Sequence, residues 1–245
     1  MPASDFNCPL PLVFLPGMMC DARLFEHQTI AFSRQRTIIH VPLIGSDSMA
    51  GLAELVLRNV PTRFLLAGLS MGGIVAMEVV RQAADRVAGL ALLDTNPLAD
   101  TVAAADRRTD LMERVKAGAL KSVVCDDLKP NYLADGPGRG RILDLCLEMA
   151  LDLGPDIFLD QSIAVRGRPD QTATLEAYSG PTTIICGADD TLCPVERHKL
   201  MADLIPHATL NIVPGAGHLP VLEQPHLTNT LLKSWLERTD EINAT

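Results

Sequence analysis

Short apolar runs alternate with helix-patterned segments along most of this 245-residue chain, and that alternation constrains the fold more than any other feature. Residues 10–17 (LPLVFLPG), 36–42 (RTIIHVP), 63–68 (RFLLAG), 86–95 (RVAGLALLDT), 181–187 (PTTIICG) and 208–215 (ATLNIVPG) are rich in Val, Ile and Leu. Near-continuous apolar runs of this length are the pattern of strands buried on both faces. Helical patterns follow at 21–32, 48–60, 72–84 and 225–237, with Ser48 placed as an N-cap and Pro225 at a permitted first-turn position. Strand–helix repetition calls for an α/β fold: a mostly parallel central sheet of about six strands with helices on both faces.

Between Thr95 and Ser179 the strand pattern stops. The segments 102–118, 141–153 and 155–165 read as helices, interrupted by ADGPGRG (134–140) and RGRP (166–169). A helical insertion in an otherwise alternating chain is expected to cap the C-terminal edge of the sheet, where open α/β sheets bind ligands. The expected division is a core of residues 1–95 and 180–245 with a helical cap, or lid, of residues 96–179.

Bulk properties narrow the function classes. A formal net charge of −9 repels phosphate backbones, so no nucleic-acid partner is expected. No apolar run approaches the roughly 20 residues that span a bilayer, so no membrane partner is expected either. The start, MPASDFNCPLPLVFLPG, lacks the basic and long apolar regions of a signal peptide. The six cysteines form no CxxC pair, which favours reduced thiols and a cytoplasmic chain. No GxxxxGKS, HExxH or dinucleotide-binding GxGxxG occurs, so neither a metal nor a cofactor is expected. A monomer or homodimer is expected.

The stretch RFLLAGLSMGGIVAMEVV (63–80) places one hydroxyl, Ser70, between an apolar strand and an apolar helix. Gly68 and Gly72 stand two residues either side. A sharp strand-to-helix turn lifts a serine Oγ above the sheet edge, and the glycines remove side chains that would collide there; this is the nucleophile-elbow logic of G-x-S-x-G. The helix that starts after Ser70 aims free N–H groups at the same place. Three fixed positions match by chance in roughly one chain of this length in twelve. The reading therefore leans on the flanking strand and helix, and on partners elsewhere. The bland alternative is a tight turn with a structural serine.

Those partners carry a resemblance. GADDTLCP (187–194) follows a late strand, and VPGAGHLPVLEQP (213–225) follows the last one. With the elbow, they make the chain similar to an α/β-hydrolase of the small, cap-bearing serine esterase and lactonase type, from about Leu10 to the last helix. The resemblance implies the order Ser70, Asp190, His218 for a catalytic triad. Asp189 competes as a neighbour, and Asp94 in ALLDTN is an alternative acid, because some members carry the acid after the earlier strand. LPGMM (15–19) stands where the family's His-Gly oxyanion loop lies, with Pro16 in place of His. The backbone N–H groups of Met18 and Met71 would then be the oxyanion donors. The family's opening β-hairpin does not fit into the nine residues before Leu10.

The resemblance implies a serine hydrolase cleaving a small carboxylic ester, lactone or thioester through an acyl-enzyme, without a cofactor. Alternatives on the same scaffold are C–C bond hydrolysis and acyl transfer; from a different class, a non-turnover small-molecule receptor. Met18, Met19 and Met71 either line a pliable acyl pocket or simply pack. Cys20 reads as passive. His27, His40, His198 and His207 read as surface or helix-end residues, and His226 as structural. The pairs Arg107–Arg108, Arg139–Arg141 and Arg166–Arg168 read as solvated cap surface, with a carboxylate-binding role as the alternative.

Overall fold

A computed structural model describes residues 9–243. Six strands form one sheet: β1 (Leu12–Leu15), β2 (Ile38–His40), β3 (Phe64–Leu69), β4 (Val87–Leu93), β5 (Thr182–Gly187) and β6 (Thr209–Val213). Their order is β2-β1-β3-β4-β5-β6, and every pair is parallel. The expected sheet is thus present, with no antiparallel strand among the described residues. The segment where an opening hairpin was excluded lies almost wholly outside them.

Period-two alternation divides the core into two halves. Val13, Leu15, Leu66, Leu90, Leu92 and Ile184 face one side and pack with helices α2 (Met49–Asn59), α3 (Met71–Ala83) and α8 (Val195–Leu204). Leu12, Phe14, Leu65, Ala67, Ala91, Leu93 and Ile185 face the other, against α1 (Glu26–Phe32) and α10 (Pro225–Asn243). Ser48 caps α2 as expected, its side chain accepting from the Gly51 N–H. The expected helix over 21–32 opens as a 3₁₀ turn, because the Asp21 side chain takes the Arg23 N–H. The last helix runs past its expected end to Asn243, held by fully buried Trp235 and Thr239. The Trp235 indole N–H donates to the Pro181 carbonyl, so its burial leaves no orphan donor.

Between β4 and β5 the chain is helical: α4 (Val102–Lys116), a short α5 (Leu120–Ser122), α6 (Arg139–Arg166) and α7 (Thr172–Ala177). The helices expected at 141–153 and 155–165 are the two halves of α6. Gly154 breaks the helical conformation between them at φ 82°, ψ 176°, directly before Pro155. This segment has its own apolar cluster of Leu111, Met112, Val115, Val123, Val124, Ala150 and Phe158, and Met19 from the loop after β1 completes it. Met19 therefore packs against the helical segment. Arg168 is not solvated as expected: it is buried against Asp100 at 2.7 Å, and Arg108 reaches the same carboxylate at 3.2 Å.

The chain leaves β1 toward β2 on one side and returns to β3 on the other. The crevice between the C-terminal ends of β1 and β3 is therefore the point where strand order reverses, the usual ligand position in such sheets. Leu15 of β1 is level with Gly68 of β3, which brings the β1 loop beside Ser70. The approach leaves no room for side chains. A Cβ on Gly68 would overlap the Gly72 carbonyl, and a Cβ on Gly72 would overlap the Leu15 carbonyl. Because backbone on both sides must move, Gly72→Ala is expected to cost about 3 kcal/mol or more. Gly140→Ala, whose Cβ meets nothing within 4 Å, is expected to be neutral or to stabilise by up to about 1 kcal/mol. Denaturant unfolding of the two variants checks the contrast.

Candidate active site

Ser70 closes β3 and precedes the first turn of α3, with φ 55° and ψ −116°, a region that L-residues rarely occupy. Its backbone is held from several sides. The Ser70 N–H donates to the Leu93 carbonyl at 2.9 Å, and the Ser70 carbonyl accepts from Gly73, Ile74 and the Thr95 hydroxyl. The side chain is left half-buried at the head of the crevice.

The loops after β5 and β6 supply the other two groups. His218 Nε2 lies 2.9 Å from Ser70 Oγ, and His218 Nδ1 lies 2.8 Å from Asp190 Oδ2. A carboxylate can only accept, so Nδ1 carries the proton and Nε2 is left to accept from the serine hydroxyl. Asp190 Oδ1 takes the N–H groups of Leu192 and Cys193 at 2.8 and 3.0 Å. Burial alone would push the Asp190 carboxyl up. The His218 imidazole and those two N–H groups outweigh it and hold the carboxyl below its ordinary range. The structure thus brings Ser70, His218 and Asp190 into one hydrogen-bonded chain.

The two competing acids are placed elsewhere. Asp189 is exposed. Asp94 is fully buried, at φ 41°, and its Oδ1 accepts from the Gly187 N–H at 2.8 Å rather than from the histidine. Its Oδ2 is buried, with the Asp190 side chain as its neighbour. Burial first, then the neighbouring Asp190 charge, raise the Asp94 carboxyl well above its ordinary range.

The two residues expected to supply backbone donors lie in the loop after β1 and at the start of α3. Neither the Met18 N–H, in the β1 loop, nor the Met71 N–H, at the start of α3, has an acceptor among the described residues. Met71 is 1% exposed and Met18 half-buried. A buried unpaired N–H is uncommon and costs about 1–3 kcal/mol. The next N–H, that of Met19, is taken by the Gln161 side chain at 2.8 Å.

Three supporting residues carry no local signature. His198, expected at the surface, is fully buried in α8. Its Nε2 accepts from the Thr95 N–H at 3.1 Å and its Nδ1 lies 3.2 Å from the Pro194 carbonyl, which makes Nδ1 the protonated nitrogen. Thr95 in turn donates to Ser70. Glu223, in α9 (Pro220–Glu223), accepts from the N–H groups of Gly217 and Leu219, on both sides of His218, and from Ala134 of the helical segment at 2.8 Å. The His218 N–H donates to the Tyr132 carbonyl at 2.7 Å. A Cβ on Gly217 would fall 2.7 Å from the Ala134 nitrogen, so only glycine admits this closeness.

Asp190, half-buried Cys193 and His218 offer three metal-type donors within 4.8 Å of one another. Two of the three are already spent on each other, and burial keeps the Cys193 thiol protonated. This donor set is prepared for a proton rather than for a cation. Cys20 is likewise held as a thiol by burial.

Burial drives the His198 imidazole down to about 4. The unfolded chain therefore binds a proton that the folded chain refuses. Its contribution is whole above the ordinary value near 6.5 and is lost as pH falls toward about 4, on the order of 3 kcal/mol. The difference in urea midpoint between the parent and His198→Gln should shrink over this window. Glu223→Gln turns one accepting oxygen into a donor facing N–H groups and is expected to cost about 1–3 kcal/mol in the same unfolding measurement.

The chain is similar to known esterases and hydrolases. The chain is 26% identical over 238 residues to a pimeloyl-[acyl-carrier protein] methyl ester esterase of Nitrosomonas europaea, covering 87% of this chain and 90% of that protein. A thermophilic esterase from Thermogutta terrifontis superposes with a TM-score of 0.84 at 27% identity, over 94% of this chain and 90% of that one. The enol-lactonase of Burkholderia xenovorans LB400 shares the fold, with a TM-score of 0.83 at 16% identity, over 94% and 92% of the two chains. The model of the alpha/beta hydrolase family matches residues 12–231. The chain belongs to the alpha/beta hydrolase family and is a hydrolase.

Proposed function

We propose that this hydrolase is a cofactor-free serine esterase acting on small carboxylic esters, lactones or thioesters. The observation that carries the reading is the continuous chain from Ser70 Oγ through His218 to Asp190, at 2.9 and 2.8 Å. Supporting it are the two unpaired N–H groups of Met18 and Met71 beside the serine. The similarity to an esterase named for a methyl ester, and to a second esterase at 27% identity, points the same way.

On this reading His218 Nε2 takes the Ser70 proton as Oγ attacks the ester carbon. Asp190 holds the imidazole in the required tautomer and stabilises its charged form. The Met18 and Met71 N–H groups receive the oxyanion; a donor already in place costs no reorganisation when charge develops. Collapse expels the alcohol, which leaves with the proton from His218. Water then attacks the acyl-Ser70 ester, giving its proton to His218, and the acid is released as Ser70 recovers its hydrogen. Residues 96–179 act as the cap over this site, with Met19 and Met18 at its inner edge. The free state of all five described cysteines suits a reducing compartment and supports a cytoplasmic location.

A fluorophosphonate probe is expected to label Ser70, and Ser70→Ala to abolish turnover of p-nitrophenyl acetate. Asp190→Asn should lower kcat by about 10,000-fold, since it forces the wrong histidine tautomer. Asp94→Asn, which alters a side chain bonded to the Gly187 N–H and not to the histidine, should stay within roughly 10-fold of the parent, less than one lost catalytic proton-transfer partner costs. Loss of kcat in Asp94→Asn alone would reverse the acid assignment. An acyl-chain-length panel then sizes the pocket.

A further inference from the structure

We propose that Gln161, in the second half of α6, is a positioning residue that sets the conformation of the oxyanion loop. Gln161 is 1% exposed. Its Oε1 accepts the Met19 N–H at 2.8 Å, and its Nε2 donates to the Leu43 carbonyl at 2.9 Å. Each end of the amide faces the one partner its chemistry allows. A flipped amide would set donor against donor and oxygen against oxygen, so the orientation is fixed.

What it holds is strained. Met19 has φ 56°, which a side chain with a Cβ adopts only when its surroundings impose it. One constraint is local: the Cys20 N–H returns to the Gly17 carbonyl at 3.1 Å and closes a tight turn. The other is Gln161, a contact across 142 positions of sequence. Relaxing Met19 to negative φ means rotating the Met18–Met19 peptide, which would release the Met19 N–H from Gln161 and move Met18. Gln161 therefore makes the strained loop the lowest-energy one, and it does so through Met19 without touching the reacting atoms. The Leu43 bond braces it against the loop after β2, so the brace spans two loops of the sheet edge.

This inference rests on the esterase reading of Ser70 and on Met18 as a donor. The test uses the full chain with p-nitrophenyl acetate and a trifluoromethyl ketone, which binds serine as a tetrahedral adduct. Gln161→Met keeps length and apolar volume but offers no amide. It is expected to lower kcat by roughly 100-fold, a misplaced-donor effect. KM should stay within about 3-fold, and ketone affinity should fall in parallel with kcat. Gln161→Glu keeps the acceptor for Met19 but loses the donor to Leu43 until it is protonated. Its kcat relative to the parent should therefore rise as pH falls, a dependence that a packing role would not produce. Parent-like kcat and ketone affinity in Gln161→Met, with only a lowered melting temperature, would overturn the inference. If Gln161→Met does not fold, Gln161→Glu decides: a pH-independent ratio to the parent overturns it. A parent enzyme whose turnover survives Ser70→Ala would instead overturn the esterase reading, so the two failures are distinct.

Discussion

Everything at the sheet edge depends on one close passage of backbone, where β3 turns into α3 against the end of β1. Gly68 must slide under the Gly72 carbonyl, and Gly72 under that of Leu15. Ser70 is left at positive φ with its carbonyl capped by Thr95. A turn this tight is costly in isolation. It persists because α3 is buried almost all round from Met71 to Val80, which prevents the helix from drifting to relieve it. The apolar packing of α3 stabilises the fold and, in the same contacts, fixes where the serine hydroxyl sits.

Strain is concentrated where chemistry is proposed. Among the described residues, the non-glycine positions with positive φ are Met19, Ser70 and Asp94. They follow β1, β3 and β4, three neighbouring strands. Each is over-determined by a bond from a distant element: Met19 by Gln161, Ser70 by Thr95, and Asp94 by the Gly187 N–H. Such conformations cost of order 1–3 kcal/mol each. The distant bonds carry that cost, and through Gln161 the helical segment belongs to this edge rather than to its periphery.

What was legible in the sequence follows from the range of each interaction. Strands β3 and β4 are buried on both faces and read as unbroken apolar runs; Gly68 answers to a clash within five residues, whereas the Leu15 carbonyl that Gly72 must clear lies far back in the chain. The Ser48 cap is equally local. Asp94 and Asp190 both end strands and both look like acids for His218. Only the lateral geometry of the loops, with Asp94 turned back onto Gly187, separates them. His198, Glu223 and Gln161 act across 103, 89 and 142 positions. No spacing or composition marks a residue whose partner is a backbone group that far away. The one available hint for Glu223 was its fixed distance from His218 in GHLPVLE, which reads equally well as the start of a helix. Arg168 failed as a surface residue for a related reason: pairing with Asp100 makes a buried arginine affordable, and sequence does not display that partner.

The helical segment is fastened to the residues around Ser70 and His218 by hydrogen bonds. Gln171 reaches the buried Glu78 of α3 at 2.8 Å, the Tyr132 carbonyl receives the His218 N–H, and Ala134 shares Glu223 with the histidine loop. Lifting residues 132–134 would take one bond from His218 and one from Glu223, which itself holds the histidine loop, so an opening motion there would disturb the placement of His218. A more yielding element lies in the loop after β1. At Met18 the loop side chain is half-buried, flexible and shared between the sheet core and the helical cluster. A thioether there can change rotamer without breaking a hydrogen bond. The fold thus separates what must stay fixed, the backbone around Ser70, Met19 and His218, from what can yield, a methionine at the rim.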